Sequence, residues 1–423
     1  MKPMASVPLD LHDPSSYGTD MTNLRPQRFG TDVQRPAASK QLAGVVWNNT
    51  DTGESFVCNG TSWKPAHGTL VMLVGDNAPY PVTVREWAAP TKLSDPSSPV
   101  AGNANSIAWS PDGRFVAVAH ASSPLVTIYD RSGTALAKLT DPAALPVGTA
   151  VSAGWSPCGR FLAVGSAGSP YVQIYDRSGT TFTKLTNPGT LPAGVGNGLA
   201  FSPDGRFLSV AHTTTPFVTN YERSGTTFTK LTNPGTLPAS NGMGTAFSPD
   251  GRFLVVGHES SPYVTIYERS GTTFTKLTDP ATLPAGIGRA AAFSPDGRFL
   301  VVGHDSSPFM SIYERSGTTF TKLADPASLP VDAIRGAAFS PCGRFLAATS
   351  ATTPYVEVYE RSGTTFTKLA DPASLPAGVT DMPAWSPDGR FLAVAHTSSP
   401  YITIYETTGI TPDGPARPIQ VLP

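Results

Sequence analysis

The hexapeptide Ser-Pro-Asp-Gly-Arg-Phe at residues 110–115 decides how this chain folds, because it returns six times at a constant interval, twice with Cys in place of Asp. The serines that open the seven copies are Ser110, Ser156, Ser202, Ser248, Ser294, Ser340 and Ser386. Every step is 46 residues, with no insertion or deletion. A strict period of this size indicates a row of identical supersecondary units, because one unit alone cannot bury its apolar face.

The fifth repeat shows what each unit contains. Its alternation of apolar, β-branched runs with Pro, Gly and Asp turns predicts four strands, at residues 290–293, 298–304, 309–313 and 318–323, with turns at 294–297, 305–308 and 315–317. The first strand is small and apolar in every repeat, which fits the crowded inner wall of a ring, and the Thr/Lys-rich fourth strand fits its rim. Seven such units predict an all-β, seven-bladed β-propeller.

The ring is expected to close with a strand from the start of the chain. After the seventh repeat the fourth-strand sequence is lost, whereas residues 89–96 match a fourth strand and its exit turn. We therefore predict that Pro90–Leu93 is the outer strand of the last blade, which leaves no exposed inner edge. The predicted domains are an extended N-terminal arm (1–40), a small β-hairpin attachment module (41–77) and the propeller (78–423).

The motif Ser-Pro-Asp-Gly-Arg-Phe, followed by Leu-Val-Val-Gly-His and a strand ending in Ile-Tyr, resembles WD-repeat propellers over residues 103–405. The Trp-Asp pair of that family is replaced here by Tyr-Asp or Tyr-Glu, as at Tyr129 and Tyr267. The Gly-His that opens each repeat of the family is missing. The resemblance implies the fold, but propellers host many activities and it implies no particular function.

The segment before the repeats has a second resemblance. The pattern Arg-Pro, Gly, Thr-Asp-Thr-Gly and Asn-Gly-Thr-x-Trp between Arg35 and Trp63 resembles the small β-hairpin modules of bacteriophage tail-fibre and other virion appendage proteins. We predict a hairpin with strands at 42–47 and 55–58. A two-stranded hairpin is barely stable alone, so we expect residues 1–77 to bind other virion proteins in an assembly.

Composition excludes several classes of partner. The formal net charge is −1 and 14% of residues are charged, so no broad basic field for nucleic acid is expected. No apolar run approaches the length of a membrane span, and the first residues do not resemble a signal peptide. Three cysteines are too few for a disulfide scaffold, and Cys158 and Cys342, which replace the motif aspartate, are expected to be free thiols.

The chain offers few candidates for chemistry. Histidine ends the second strand in five repeats, at His120, His212, His258, His304 and His396, and serine stands there in the other two. Zinc needs three or four converging ligands, whereas equivalent positions on separate blades diverge. We therefore expect no metal, no cofactor, no catalytic residues and no enzyme activity. The pairs His258-Glu259 and His304-Asp305, on adjacent blades, are the exception worth examining.

The repeats diverge on one face only. The turns on the opposite face barely vary, but the position five residues before the motif serine and the position after the strand-end His or Ser differ between copies. Divergence confined to one face is typical of a recognition surface, although relaxed loop packing would also produce it. The candidate partner-binding residues are Asn105, Asn197, Met243, Glu259, Arg289, Asp305, Arg335 and Asp381.

These observations lead to one functional expectation and two alternatives. We expect a bacteriophage virion structural protein, a tail-fibre or receptor-binding appendage made in the host cytoplasm and present as a homo-oligomer. Its variable propeller face would bind a host surface protein or glycan. The first alternative is a capsid decoration or head-fibre protein, and the second is a lactonase-like propeller enzyme.

Overall fold

The computed structural model describes residues 89–407 together with four short strands nearer the N-terminus. The chain divides into two compact units, residues 1–88 and 89–423. The first unit contains a four-stranded sheet in the order β1-β2-β3-β4, with β1 parallel to β2 and the other pairs antiparallel. Its strands are β1 (Gln27–Gly30), β2 (Val46–Asn49), β3 (Ser55–Cys58) and β4 (Trp63–Pro65).

This sheet differs from the predicted two-stranded hairpin. The predicted strands at 42–47 and 55–58 correspond to β2 and β3, but β2 begins later, at Val46. Each gains an outer neighbour, β1 from the segment expected to be an extended arm and β4 from Trp63–Pro65. Additional strands satisfy backbone groups that an isolated hairpin leaves unpaired.

The second unit is a ring of seven four-stranded antiparallel sheets. Blades 1 and 2 consist of β6 (Ala104–Trp109), β7 (Phe115–His120), β8 (Val126–Ser132), β9 (Ala135–Lys138), β10 (Ala150–Trp155), β11 (Phe161–Ser166), β12 (Val172–Ser178) and β13 (Thr181–Lys184). Blades 3 and 4 consist of β14 (Gly196–Phe201), β15 (Phe207–His212), β16 (Val218–Ser224), β17 (Thr227–Lys230), β18 (Gly242–Phe247), β19 (Phe253–His258), β20 (Val264–Ser270) and β21 (Thr273–Lys276).

The remaining three blades repeat the same order. Blades 5 and 6 consist of β22 (Gly288–Phe293), β23 (Phe299–His304), β24 (Met310–Ser316), β25 (Thr319–Lys322), β26 (Ile334–Phe339), β27 (Phe345–Ser350), β28 (Val356–Ser362) and β29 (Thr365–Lys368). Blade 7 consists of β30 (Thr380–Trp385), β31 (Phe391–His396), β32 (Ile402–Glu406) and β5 (Thr91–Lys92). The prediction of a seven-bladed all-β propeller is confirmed. No helix in the described part of the chain is long and apolar enough to cross a bilayer.

The ring closes through the start of the second unit. The two residues of β5 pair antiparallel with Tyr405 and Glu406 of β32, and Leu93 N–H donates to Ile404 O at 2.8 Å. Blade 7 therefore combines three strands from the end of the repeats with one strand that precedes them. This arrangement joins the two ends of the repeat array by backbone hydrogen bonds.

The first strand of each blade lies innermost and contacts the first strands of the two neighbouring blades. The backbones of neighbouring first strands lie close together, and this explains why these strands are rich in glycine. A Cβ atom on Gly244 would lie 2.6 Å from Arg289 O, and one on Gly336 would lie 2.1 Å from Asp381 O. Larger residues at these positions would force adjacent blades apart.

The core consists of apolar layers between neighbouring blades. Phe161 and Ile174 of blade 2, for example, pack with Leu208, Val210 and Tyr221 of blade 3. Six of the seven tyrosines at this position donate their hydroxyl hydrogen to a carbonyl 31 residues earlier, as Tyr221 does to Thr190 O at 2.9 Å. Six of the seven blades are thus linked to the connection that precedes them.

The third strand is longer than predicted. We expected the fifth repeat to turn at residues 315–317, but β24 continues through Ser316, which pairs with Thr319 of β25. The turn consists of two residues, Gly317 and Thr318, and Gly317 has φ of 60°. A two-residue hairpin needs this left-handed conformation, which glycine adopts without steric cost.

In five of the seven blades the repeated motif makes hydrogen bonds within the blade and an ion pair with the next blade. In blade 1, Ser110 Oγ accepts from Phe115 N–H at 2.8 Å and donates to Asp112, whose carboxylate also accepts from Arg114 N–H. Asp112 then faces Arg177 of blade 2, with 3.6 Å between Oδ2 and Nη2. The sequence indicates only that this aspartate lies in a turn. Four more interfaces carry this aspartate–arginine contact, through Asp204–Arg269, Asp250–Arg315, Asp296–Arg361 and Asp388–Arg131.

Candidate functional site at the channel mouth

The variable position of each repeat is the second residue of the innermost strand. In every blade the register with the second strand shifts around this residue, so it forms a β-bulge. The seven residues are Asn105, Val151, Asn197, Met243, Arg289, Arg335 and Asp381, and each is half-buried. Bulges interrupt the ladder and re-aim side chains, and they are over-represented beside active sites. Because these are equivalent residues near one end of the innermost strands, they surround one end of the ring axis, which we call the channel mouth.

The amides on this ring bind neighbouring backbone. Asn105 Nδ2 donates to Ala150 O at 2.8 Å, and Asn197 Nδ2 donates to Gly242 O at 2.9 Å. Asn197 Nδ2 also lies 3.6 Å from the sulfur of Met243. These predicted site residues therefore bridge adjacent inner strands.

The charged members of the ring lie on blades 5, 6 and 7. Arg335 Nε donates to Asp381 Oδ1 at 2.5 Å, although the two residues are 46 positions apart. Arg289 Nη2 lies 3.6 Å from Asp305 Oδ2, and Asp305 Oδ1 accepts from Ile287 N–H at 2.9 Å. The structure thus brings together four of the predicted residues as two ion pairs.

A further carboxylate at this mouth was missed from the sequence. Asp332, in the connection to blade 6, accepts hydrogen bonds from Thr352 Oγ1 and from Ala333 N–H. These bonds, with a smaller contribution from the charge of Arg335, lower the pKa of Asp332 below its usual value. The signal was present, because glycine stands two residues after Leu-Pro in four other repeats and serine in one, but only the fold brings the Thr352 hydroxyl to this carboxylate.

Glu259 stands apart from these pairs. Its Oε2 accepts from the Nδ2 of Asn241 at 2.9 Å, and Asn241 belongs to the connection that leads into blade 4. The neighbouring His258 is fully buried and directs Nε2 to Thr265 Oγ1 at 2.9 Å. The two His-carboxylate pairs examined as a candidate metal site therefore do not converge. Among the described residues no group of three or more His, Cys, Asp or Glu side chains is arranged to hold a metal ion.

All five strand-end histidines are fully buried, which disfavours their charged form. Burial lowers the pKa of His120, His212 and His258 to about 4, and it also lowers the pKa of His304 and His396. In each case Nε2 lies within 3.1 Å of a Thr or Ser hydroxyl seven residues later. None of these imidazoles reaches the channel, so carboxylates are the proton-accepting groups at the mouth.

A groove at the rim is a weaker candidate. It has a volume of about 380 Å³ and lies between residues 277–282 and the outer strand of blade 5 at 318–322. Its lining repeats almost unchanged in the neighbouring blades, as the Thr-Thr-Phe-Thr-Lys sequence shows. Nothing distinguishes this groove from its counterparts, whereas the channel mouth differs from blade to blade.

Comparison with known families identifies one similarity. Residues 150–333, from the first strand of blade 2 to the connection after blade 5, match the model of the family "Lactonase, 7-bladed beta-propeller". No curated protein sequence matches the chain. The matched segment contains Arg289 and Asp305 but ends just before Arg335.

Solved structures share the fold. A chain of the hydrazine synthase from Kuenenia stuttgartiensis superposes with a TM-score of 0.58 at 17% identity, covering 75% of this chain and 99% of that one. A chain of a mitotic checkpoint complex has a TM-score of 0.58 at 19% identity, covering 79% of this chain and 96% of that one. At these identities the likeness concerns the fold alone.

The comparisons overturn the main functional expectation. The prediction of a bacteriophage tail-fibre or receptor-binding protein is wrong, because the family similarity is to lactonases and neither structural neighbour is a virion protein. Neither the family match nor the two structural neighbours supports the resemblance of the N-terminal module to phage appendages. The match favours the lactonase-like alternative, and it runs against the expectation that the chain is not an enzyme.

Proposed function

We propose that this propeller hydrolyses a lactone at the channel mouth of blades 5, 6 and 7. The observation that carries the proposal is the gathering of Arg289, Arg335 and Asp381 on three successive bulges of the inner strands. The similarity of blades 2 to 5 to the lactonase propellers supports the reaction class. Function in propellers depends on such sites and not on the ring itself.

The residues at the mouth offer the groups that lactone opening needs. Asp381 would accept a proton from a water molecule as the water oxygen attacks the lactone carbonyl carbon. The guanidinium of Arg335 or Arg289 would stabilise the negative charge that develops on the carbonyl oxygen. The ring C–O bond then breaks, its oxygen takes the proton, and the product is a hydroxy acid.

The ion pair itself positions the proton acceptor. Arg335 Nε holds Asp381 Oδ1, so the other carboxylate oxygen is the one available to a water molecule. The Asp381 side chain is 19% exposed and that of Arg335 is 38% exposed, so both can be reached from solvent. Charge interactions in such a half-buried site are stronger than in open water.

The test is turnover of a panel of five- and six-membered lactones, with and without a ring carboxylate, by the purified chain. Asp381→Asn should lower kcat/KM at least about 100-fold, the typical contribution of a general base. The matched control is Asp130→Asn. This change also removes a paired carboxylate, but its partner is Arg114 and the ion pair lies on the opposite face of the ring. Equal activity of Asp381→Asn and the parent chain, or no turnover of any lactone by the folded parent, would contradict the proposal.

A further inference from the structure

Blade 3 carries two polar side chains where the other blades are apolar. Ser209 of β15 and Asn220 of β16 are cross-strand partners, directly opposite each other in the sheet. The corresponding pairs elsewhere are Ala117 with Ile128, Ala163 with Ile174, Val255 with Ile266, Val301 with Ile312, Ala347 with Val358, and Ala393 with Ile404. The substitution of both members in one blade creates a polar pair within the ring core.

This pair faces blade 4. Ala211 and Val218, each two residues from a member of the pair, pack against Leu254 and Tyr267 of that blade. Side chains two apart on a strand share a face, so Ser209 and Asn220 point into the same interface. Ser209 is fully buried and Asn220 is 3% exposed.

The polar atoms of the pair have no hydrogen-bond partner within the described part of the chain. This holds for Ser209 Oγ and for both Asn220 Nδ2 and Asn220 Oδ1. The nearby hydroxyl groups of blade 4 are already engaged, because Thr245 Oγ1 donates to Val255 O and Tyr267 OH donates to Thr236 O. The interface therefore contains donors and acceptors that blade 4 does not satisfy.

Buried polar groups are nearly always paired with protein or with ordered water, because desolvation without a replacement bond is costly. Asparagine also has a smaller volume than the isoleucine that fills this position in five other blades, because it lacks a methyl branch. An internal water molecule needs a polar site with two or more partners. Ser209 Oγ and the Asn220 amide provide both donors and acceptors.

We propose that Ser209 and Asn220 bind an internal water molecule between blades 3 and 4. The water would accept from Asn220 Nδ2 or donate to Asn220 Oδ1 while it also bonds to Ser209 Oγ. This site is independent of the channel mouth and of the proposed hydrolysis.

A high-resolution crystal structure of the full chain tests the proposal. We expect a solvent peak within hydrogen-bond distance of both Ser209 Oγ and the Asn220 amide. The counterpart Ala117/Ile128 position of blade 1 is the internal control and should contain no such peak. A dry site, or an Asn220 amide bonded to protein groups, would overturn the proposal.

A double substitution gives a second readout. Ser209→Ala with Asn220→Ile restores the apolar pair of blade 2, which should remove the solvent peak and raise the Tm by about 1–3 °C. The single change Ser209→Ala should leave Asn220 with one polar partner fewer and lower the Tm relative to the parent. A fall in Tm for the double variant would indicate that the pair makes direct protein contacts, and the water site would be refuted.

Discussion

Blades 2 and 6 differ from the other five blades at the same four positions. They carry Cys158 and Cys342 for the motif aspartate, and Ser166 and Ser350 for the strand-end histidine. Seven residues after that serine stand Gln173 and Glu357, and the connection that precedes each blade has Val147 and Val331 in place of alanine. The structure explains why three of these changes occur together.

In the five histidine blades a large side chain on the second strand meets a small one on the third. In His304, Nε2 lies 3.1 Å from Ser311 Oγ, as in the other four blades it lies close to a threonine hydroxyl, and Nδ1 lies 2.7 Å from Ser306 O. In blades 2 and 6 the sizes are exchanged. Ser166 Oγ donates to Gly168 O at 3.0 Å, and Ser350 Oγ donates to Thr352 O at 3.0 Å, which are the carbonyls equivalent to Ser306 O.

The longer partner then extends to the preceding connection. The Gln173 amide, with its nitrogen toward Ser166 Oγ and Val164 O, accepts from Val147 N–H at 3.3 Å. Glu357 Oε2 accepts from Val331 N–H at the same distance, and its Oε1 lies 2.7 Å from Lys368 Nζ. The serine, the longer side chain and the valine are thus one structural alternative to the histidine pair. The difference shows that these three positions change together because they contact one another.

The largest expected effect is a loss of stability at low pH, which the buried histidines cause and which the two serine blades do not share. The histidine pKa is about 4 in the fold and about 6.5 when unfolded, so the unfolded chain binds more protons as pH falls through this window. Stability is complete above pH 6.5 and should be lower at pH 5 by about 2 kcal/mol for each of His120, His212 and His258. Urea unfolding at pH 7 and pH 5 measures this loss.

The double variant His212→Ser with Thr219→Gln gives blade 3 the side chains of blade 2. Its stability loss between pH 7 and pH 5 should be smaller than that of the parent by about 2 kcal/mol, because one titrating group is gone. The single change His212→Ser serves as the control and should lower stability at both pH values by leaving a cavity. An unchanged pH dependence in the double variant would contradict the role assigned to His212.

An effect smaller than the summed loss from the three histidines is expected from the ion pair that is peculiar to blade 6. Lys368→Met leaves the fully buried Glu357 carboxylate without its cation and should cost about 3 kcal/mol of unfolding free energy. Glu357→Gln gives blade 6 the residue of blade 2 and should cost less than about 1 kcal/mol, because the amide oxygen can still accept from Val331 N–H. Chemical denaturation of the two variants decides between them. A reversed order would mean that the buried carboxylate tolerates the loss of Lys368, which contradicts the cost assigned to an unpaired buried charge.

The smallest effect concerns the cysteines. Arg223 of blade 3 occupies the place where the other arginines meet an aspartate, but it faces Cys158, so Cys158→Asp should complete the contact and stabilise the chain by about 0.5 kcal/mol. Cys342→Asp is the matched control, because Thr407 stands where blade 7 would need the arginine. Thermal unfolding of both variants measures the difference. Equal gains would show that the aspartate acts through its own turn alone.

In the sequence, the proposed site was visible only as differences between the seven repeats at equivalent positions. Comparison of the repeats picked out Arg289, Asp305, Arg335 and Asp381, because each departs from its counterparts at a fixed position. It did not indicate that they pair with one another, since Arg335 and Asp381 are 46 residues apart. Asp332 was missed because its role depends on the distance between a connection and the neighbouring strand.

The sequence by itself determined the number of blades, their strands and the closing segment. The period is constant and the turn residues recur at fixed places. Each unit can therefore bury its apolar face only by packing on the next unit. The tertiary structure alone decided the bulges of the inner strands, the aspartate–arginine contacts between blades, and the exchange of side-chain size in blades 2 and 6. These features depend on distances between residues of different strands or blades, and a pattern read along one chain contains no such distances.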